Sequence, residues 1–304
     1  MTVWLSPQDL QEAQMLLTNL FIEVSEQEGT LDGGTKLGIG ATQLQTLRET
    51  KVRFGNPRSE LIRLNDKLFK EIGVKLTERL KVQMLKQFDF YYMTLTVSMQ
   101  SSPDIQFEQM DCMLEFGPNG PNEPIIHSIF PITTWREILS AGVGLSLALN
   151  GNLEWSAGID TAAVNVLANL PGHIKAHVSN KDTLNAFITI PNYSFKLGKN
   201  DIEARGEGGS KCSWRIKKPE LQKSQTVHFA VVFKVSKGTQ SVDLTGLVAV
   251  EPNKRWLASA VRNVFEYLSE PNKALIQRTN EDSQGKELLP IGYVEQWIPF
   301  NLPD

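Results

Sequence analysis

Residues 140 to 160, SAGVGLSLALNGNLEWSAGID, alternate in hydropathy on both sides of Asn150-Gly151. Before the pair, Val143, Leu145, Leu147 and Leu149 form one set, with Gly142, Gly144, Ser146 and Ala148 between them. After it, Leu153, Trp155, Ala157 and Ile159 alternate with Glu154, Ser156, Gly158 and Asp160. Side chains two residues apart leave the same face of a strand, so this period predicts two strands and argues against a helix. Asn-Gly supplies the positive φ of a tight turn. The stretch reads as an antiparallel hairpin with one apolar face, Leu147 and Trp155 among its residues.

Two uses fit such a hairpin. It can pack its apolar face on a core, or it can enter a membrane with lipid on one face and a lumen on the other. Each arm is about eight residues long, short of the roughly 9–11 that a spanning strand needs. Trp155 sits mid-arm, away from where aromatic belts lie. Packing is the expectation and insertion the alternative.

The rest of the chain changes period twice. Ser6-Pro7-Gln8-Asp9 starts a helix, and Leu10, Ala13, Leu17, Leu20 and Val24 continue at helical spacing. Residues 29 to 41 are glycine-rich and read as a connector, because they lack the frame and preceding strand of a phosphate loop. Residues 59 to 86 read as a second long helix on the stripe Leu61, Leu64, Leu68, Ile72, Leu76 and Leu80. From Phe88 the period becomes two. Residues 88 to 100 and 105 to 116 read as a long hairpin, and VHFAVVFKV with VDLTGLVAV as another around residues 236 to 240. Asn253 caps a last helix, a short helix reaches about Arg278, and residues 288 to 304 read as an extended docking tail. The expected class is α+β: a helical N-terminal region over 1 to 86, then an antiparallel β-rich body over 88 to 304 with a C-terminal helix packing back. The body is sandwich-like or a strongly twisted sheet, and both regions can share one core.

Few residues suggest chemistry. His173 and His177 would share a metal only on a helix; on the strand that their alternating neighbours suggest, they lie about 13 Å apart at roughly 3.3 Å per residue. No metal site and no cofactor are expected. Cys112, with His127 or His228 as base, is a weak nucleophile candidate, since Asp111 and Glu115 oppose a thiolate. Cys212, near Arg205, Lys211 and Arg215, sits in a more basic setting. Arg205, Lys211, Trp214, Arg215 and Lys217 form the one basic stretch with an aromatic, a candidate site for an anion or a single strand stacked on Trp214. The plainer reading of that stretch is an edge strand guarded by lysines.

The net charge of -3 leaves no broad basic footprint, so double-stranded nucleic acid is an improbable partner. Two cysteines suit a reducing compartment, no leader-like or membrane-spanning helical run is visible, and a cytoplasmic protein is expected. No catalytic motif and no family signature is present. The function expected is non-enzymatic: a binding or interaction protein with a protein partner or self-association. A protein that inserts the 140–160 hairpin into membranes is the alternative, and an enzyme with an unrecognised carboxylate site is the third reading.

Overall fold

The computed structural model describes residues 5–31, 38–71, 74–131, 145–159, 188–190, 202–217, 226–280 and 289–303. The first elements are α1 (Pro7–Leu31), α2 (Ile39–Arg48), β1 (Lys51–Phe54), β2 (Leu61–Leu64), α3 (Asp66–Glu71) and α4 (Glu78–Lys86). The strands β3 (Phe88–Gln100), β4 (Phe107–Gly117), β5 (Ile125–Phe130), β6 (Leu145–Leu149), β7 (Trp155–Ile159) and β8 (Ile188–Ile190) follow. The chain continues with β9 (Ile202–Arg205), β10 (Lys211–Lys217), β11 (Thr226–Ser236) and β12 (Ser241–Pro252), then α5 (Lys254–Ala260), α6 (Glu270–Asn280) and β13 (Ile291–Asn301). The class is α+β, with a helical N-terminal region and a β-rich body.

At the start of α1, Ser6 and Asp9 bond reciprocally: the Asp9 carboxylate accepts from Ser6 N at 2.6 Å, and Asp9 N donates to Ser6 Oγ at 3.2 Å. Leu10, Ala13, Leu17, Leu20 and Val24 are buried at the expected spacing. The glycine-rich stretch that follows is more than a connector. Buried Glu28 accepts from Gly40 N at 2.9 Å and Ala41 N at 2.8 Å, capping α2 with a carboxylate from another helix. Gly38 has no side chain to do this, and a Cβ there would lie 2.4 Å from the Glu28 carboxyl carbon.

Two five-stranded antiparallel sheets form the body. The first runs β1-β3-β11-β5, with β2 also on β3; the second runs β13-β12-β4-β10-β9. Ring contacts join them: Phe233 of β11 to Phe116 of β4 at 4.6 Å, and Phe229 of β11 to Trp214 of β10 at 4.7 Å. This corrects two expected hairpins. β3 pairs with β11 from Ser98↔Thr226 to Phe88↔Ser236, and β4 pairs with β12. Each pair of sequence neighbours is divided between the sheets. The four residues from 237 to 240 reach up to about 13 Å when extended, enough to cross a sheet separation of about 10 Å.

The long helix expected over 59 to 86 is also corrected. Leu61 to Leu64 pair with Met93 to Phe90, and Asn65 Oδ1 accepts from Leu68 N to start α3. The pairing and the cap interrupt the leucine stripe. At the other end, the extended tail is a strand: β13 pairs with β12 from Ile291↔Val250 to Asn301↔Ser241. It occupies the sheet edge, and its register shifts beside Ile298-Pro299, since proline offers no ladder donor. Asn253 caps α5 as expected, accepting from Trp256 N at 3.1 Å.

A third sheet, β7-β6-β8, pairs with neither of the others among the described residues. It is carried by the chain between β5 and β9, an edge strand of each five-stranded sheet.

Candidate functional site

β6 and β7 pair antiparallel with Leu145↔Ile159, Leu147↔Ala157 and Leu149↔Trp155, so the two apolar sets oppose one another. β8 pairs on the other side of β6, with Ile188 opposite Leu147. Leu147 is placed by its backbone; its side chain lies outside the described residues.

The connection is not the two-residue turn that Asn-Gly suggests. It spans residues 150 to 154 and is organised by the Asn150 side chain. Oδ1 accepts from Asn152 N at 2.8 Å and Glu154 N at 3.1 Å, and Nδ2 donates to Glu154 Oε2 at 2.9 Å. The positive φ falls on Leu153, at 61°. Gly151 serves close approach instead: a Cβ there would lie 2.4 Å from Lys75 O.

This turn is docked on the body. Thr77 N donates to Gly151 O at 3.0 Å, and Ser128 Oγ donates to Leu153 O at 2.7 Å. His127 Nε2 lies 2.8 Å from Asn152 O, so that nitrogen carries the proton. Leu149, Leu153 and Trp155 are buried, Trp155 against Tyr92 and Phe130 with ring centroids 5.6 and 6.4 Å away. Tyr91 stacks on inward-facing Phe233, so alternation turns Tyr92 and Lys234 to the outer face of the first sheet. The turn and α4 cover that face.

A cleft of about 720 Å³ lies between them. Arg79 and Gln83 of α4, His127 of β5, Lys234 of β11, Asn152 and Glu154 of the turn and Trp155 of β7 line it, with Glu207 from the β9–β10 connection. Burial, then the charge of Arg79, holds the Lys234 ammonium below its ordinary range. Its Nζ stands 4.6 Å from the centre of the Phe88 ring. Among the described residues the buried Trp155 indole N–H has no acceptor.

The basic stretch singled out from sequence lies elsewhere. Trp214 is in the core, and its Nε1 donates to Pro131 O at 3.0 Å. Arg215 is buried in a pair with Asp111 at 2.7 Å. Lys211 pairs with Glu115 at 2.7 Å, Lys217 with Glu203 at 3.4 Å, and Arg205 is exposed. Trp214 faces the sandwich interior, so no open platform holds all five side chains. Cys112 and Cys212 are buried free thiols; burial pushes both pKa values up, and Cys212 and Asp111 push Cys112 further. His228 is held low by burial. His173 and His177 lie outside the described residues. Among the described residues, no group of three or more His, Cys, Asp or Glu is placed to hold a metal.

The cleft was not legible as a site. Its residues come from separate stretches, and His127 entered only as a base for Cys112. The signals were indirect: Thr77-Glu78-Arg79 as a helix start, and Lys234 as a cation among apolar strand residues.

No family model and no curated protein matches the chain. Among solved structures, one titled a pore forming protein aligns at 9% identity over 66% of this chain and 78% of that chain, with a TM-score of 0.32. The Clostridium perfringens NetB toxin in the membrane inserted form aligns at 10% identity over 66% and 84%, TM-score 0.23. The collagen binding domain of the Erysipelothrix rhusiopathiae surface protein RspB aligns at 11% identity over 54% and 35%, TM-score 0.21. Scores this low define no common fold.

Proposed function

We propose that the chain is a non-enzymatic binding protein whose target is a lipid bilayer, which it enters with the β6–β7 hairpin. The observation that carries this reading is the independence of the third sheet. Within the described residues β6 pairs only with β7 and β8. The hairpin can therefore leave the body with both five-stranded sheets intact. Among the described residues its attachments to the body are the three hydrogen bonds of the turn and the buried side chains of Leu149, Leu153 and Trp155. The register that sets Leu145, Leu147 and Leu149 opposite Ile159, Ala157 and Trp155 supports one lipid-compatible face. No described helix is long and apolar enough to cross a membrane, so entry would fall to strands.

A lone hairpin cannot remain in hydrocarbon. Its outer edges would carry unpaired N–H and C=O groups at several kcal/mol each, so strands that cross lipid close into barrels. The partner implied is further copies of this chain. Exposed Met15, Leu16 and Ile22 on α1, and Val82 and Leu85 on α4, offer apolar surface for such contacts. The thiols of Cys112 and Cys212, free and buried, suit storage in a reducing compartment.

Leu147→Asp tests the reading. It should leave the melting temperature of the free protein within a few degrees and abolish dye release from vesicles, since a carboxylate on the lipid face opposes entry, at a cost below the about 2–4 kcal/mol of Arg or Lys at the midplane. Wild type that releases no dye, or a Leu147→Asp protein that unfolds, would favour the packed hairpin instead.

A further inference from the structure

Two exposed apolar helix faces on this chain carry opposite charge. On α1, Leu10, Ala13, Leu17, Leu20 and Val24 are buried, so the helical period sets Met15 and Ile22 on the opposite side. Met15 is 67% exposed and Ile22 48%. Glu12 and Glu26 stand beside them, both exposed. α1 has five Asp or Glu and no Lys or Arg. On α4, Leu80 and Met84 are buried, while Val82 and Leu85 are 48% and 70% exposed. Here the exposed neighbours include Arg79 and Lys86, and Glu78 is held by Lys81 at 2.7 Å. Residues 63 to 86 carry seven Lys or Arg against three Asp or Glu, in a chain whose net charge is -3. The outer face of a surface helix is ordinarily polar, so paired apolar residues there call for a partner.

The two faces lie on opposite sides of the sandwich. Leu10 of α1 packs with Leu247 and Ala249, whose partners on β4 are Met113 and Asp111. Phe116 points into the sandwich interior, so alternation turns Met113 and Asp111 outward. α1 thus starts on the outer face of the second sheet, whereas α4 covers the outer face of the first. One chain cannot join its own two faces.

We propose that α1 of one copy docks on α4 of the next, Met15 and Ile22 against Val82 and Leu85, with Glu12 and Glu26 facing Arg79 and Lys86. The apolar residues supply the contact and the opposed charges its orientation. A two-fold dimer would make this contact twice across one interface, which faces on opposite sides of the molecule forbid. The interface is therefore head-to-tail, and its repetition closes into a ring or extends as a filament. That a ring sets the hairpins side by side for a barrel rests on the membrane reading above; the docking itself does not.

Sedimentation velocity of the full chain at low ionic strength tests the docking without any membrane. Wild type is expected to associate past the dimer as concentration rises, and to return to monomer in about 1 M salt, where charges are screened beyond about 3 Å. Met15→Lys with Ile22→Lys puts cations on the α1 face, and Val82→Glu with Leu85→Glu puts carboxylates on the α4 face. Each protein alone should associate about a hundredfold more weakly, the scale of opposed like charges. Mixed in equal amounts, the two should form a dimer and stop there, since one keeps an intact α4 and the other an intact α1. Unchanged melting temperatures would show both variants folded, as exposed positions allow. Wild type that stays monomeric at its highest soluble concentration overturns the docking. So does either folded variant that still dimerises alone, or a mixture that stays monomeric. Dye release from vesicles separates this from the membrane reading, and both variants should release less than wild type. Association by a wild type that releases no dye overturns insertion and keeps the interface; undiminished release by both variants overturns the tie to the barrel alone.

Discussion

Single residues set the attachment of the turn. Gly151 is there for space, so Gly151→Ala forces a methyl against Lys75 O. Overpacking of this kind costs about 1–3 kcal/mol. The expected outcome is a melting temperature several degrees lower and faster dye release, because the strain falls on the docked state alone. His228 gives the molecule a pH dependence of known sign. Burial lowers its pKa below the ordinary 6.5, so the unfolded chain takes up the proton first. Stability from this group is present above pH 6.5 and is lost as pH falls through the window beneath it. Thermal melts between pH 7.5 and pH 5 should show wild type losing stability faster than His228→Gln, and parallel curves would contradict this.

Elements show why some of the structure was readable and some was not. α1 was legible because its start is a local pattern, Ser6 to Asp9, and its buried face repeats at one period. The strands were legible by alternation, but their partners were not. The turns after β3 and β11 look like hairpin turns, yet each carries the chain to the opposite sheet, and partner choice depends on both faces of β3 and β11 being covered. The leucines of residues 61 to 80 hold helical spacing while four of these residues pair as β2; nothing local to Leu61 reveals Met93. The cap on α2 was equally hidden, since Glu28 reaches it from another helix. Glu28→Gln keeps the size and removes the charge. It should cost about 1–2 kcal/mol, the scale of a lost cap plus its dipole interaction. Amide exchange should locate the loss at Gly40 and Ala41, and unaltered protection there would argue against the cap.

At the scale of the molecule, two interlocked sheets share a core while a third sheet hangs between their edge strands. The contrast in connection is the basis of the functional reading. β3, β11, β4 and β12 pair along eleven residues or nearly so. The described part of β6 pairs with β7 across five. A reversible tether across the cleft tests whether the hairpin must leave. Gln83 and Asn152 line it from α4 and from the turn. The native thiols are buried with raised pKa values, so cysteines placed at these two positions will be the ones that react. The Gln83→Cys, Asn152→Cys protein, bridged by a bis-methanethiosulfonate, should release no dye from vesicles. Adding reductant should restore release to the rate of the unbridged variant. Full release by the bridged protein would contradict the account, because it would show that the turn never needs to leave the body.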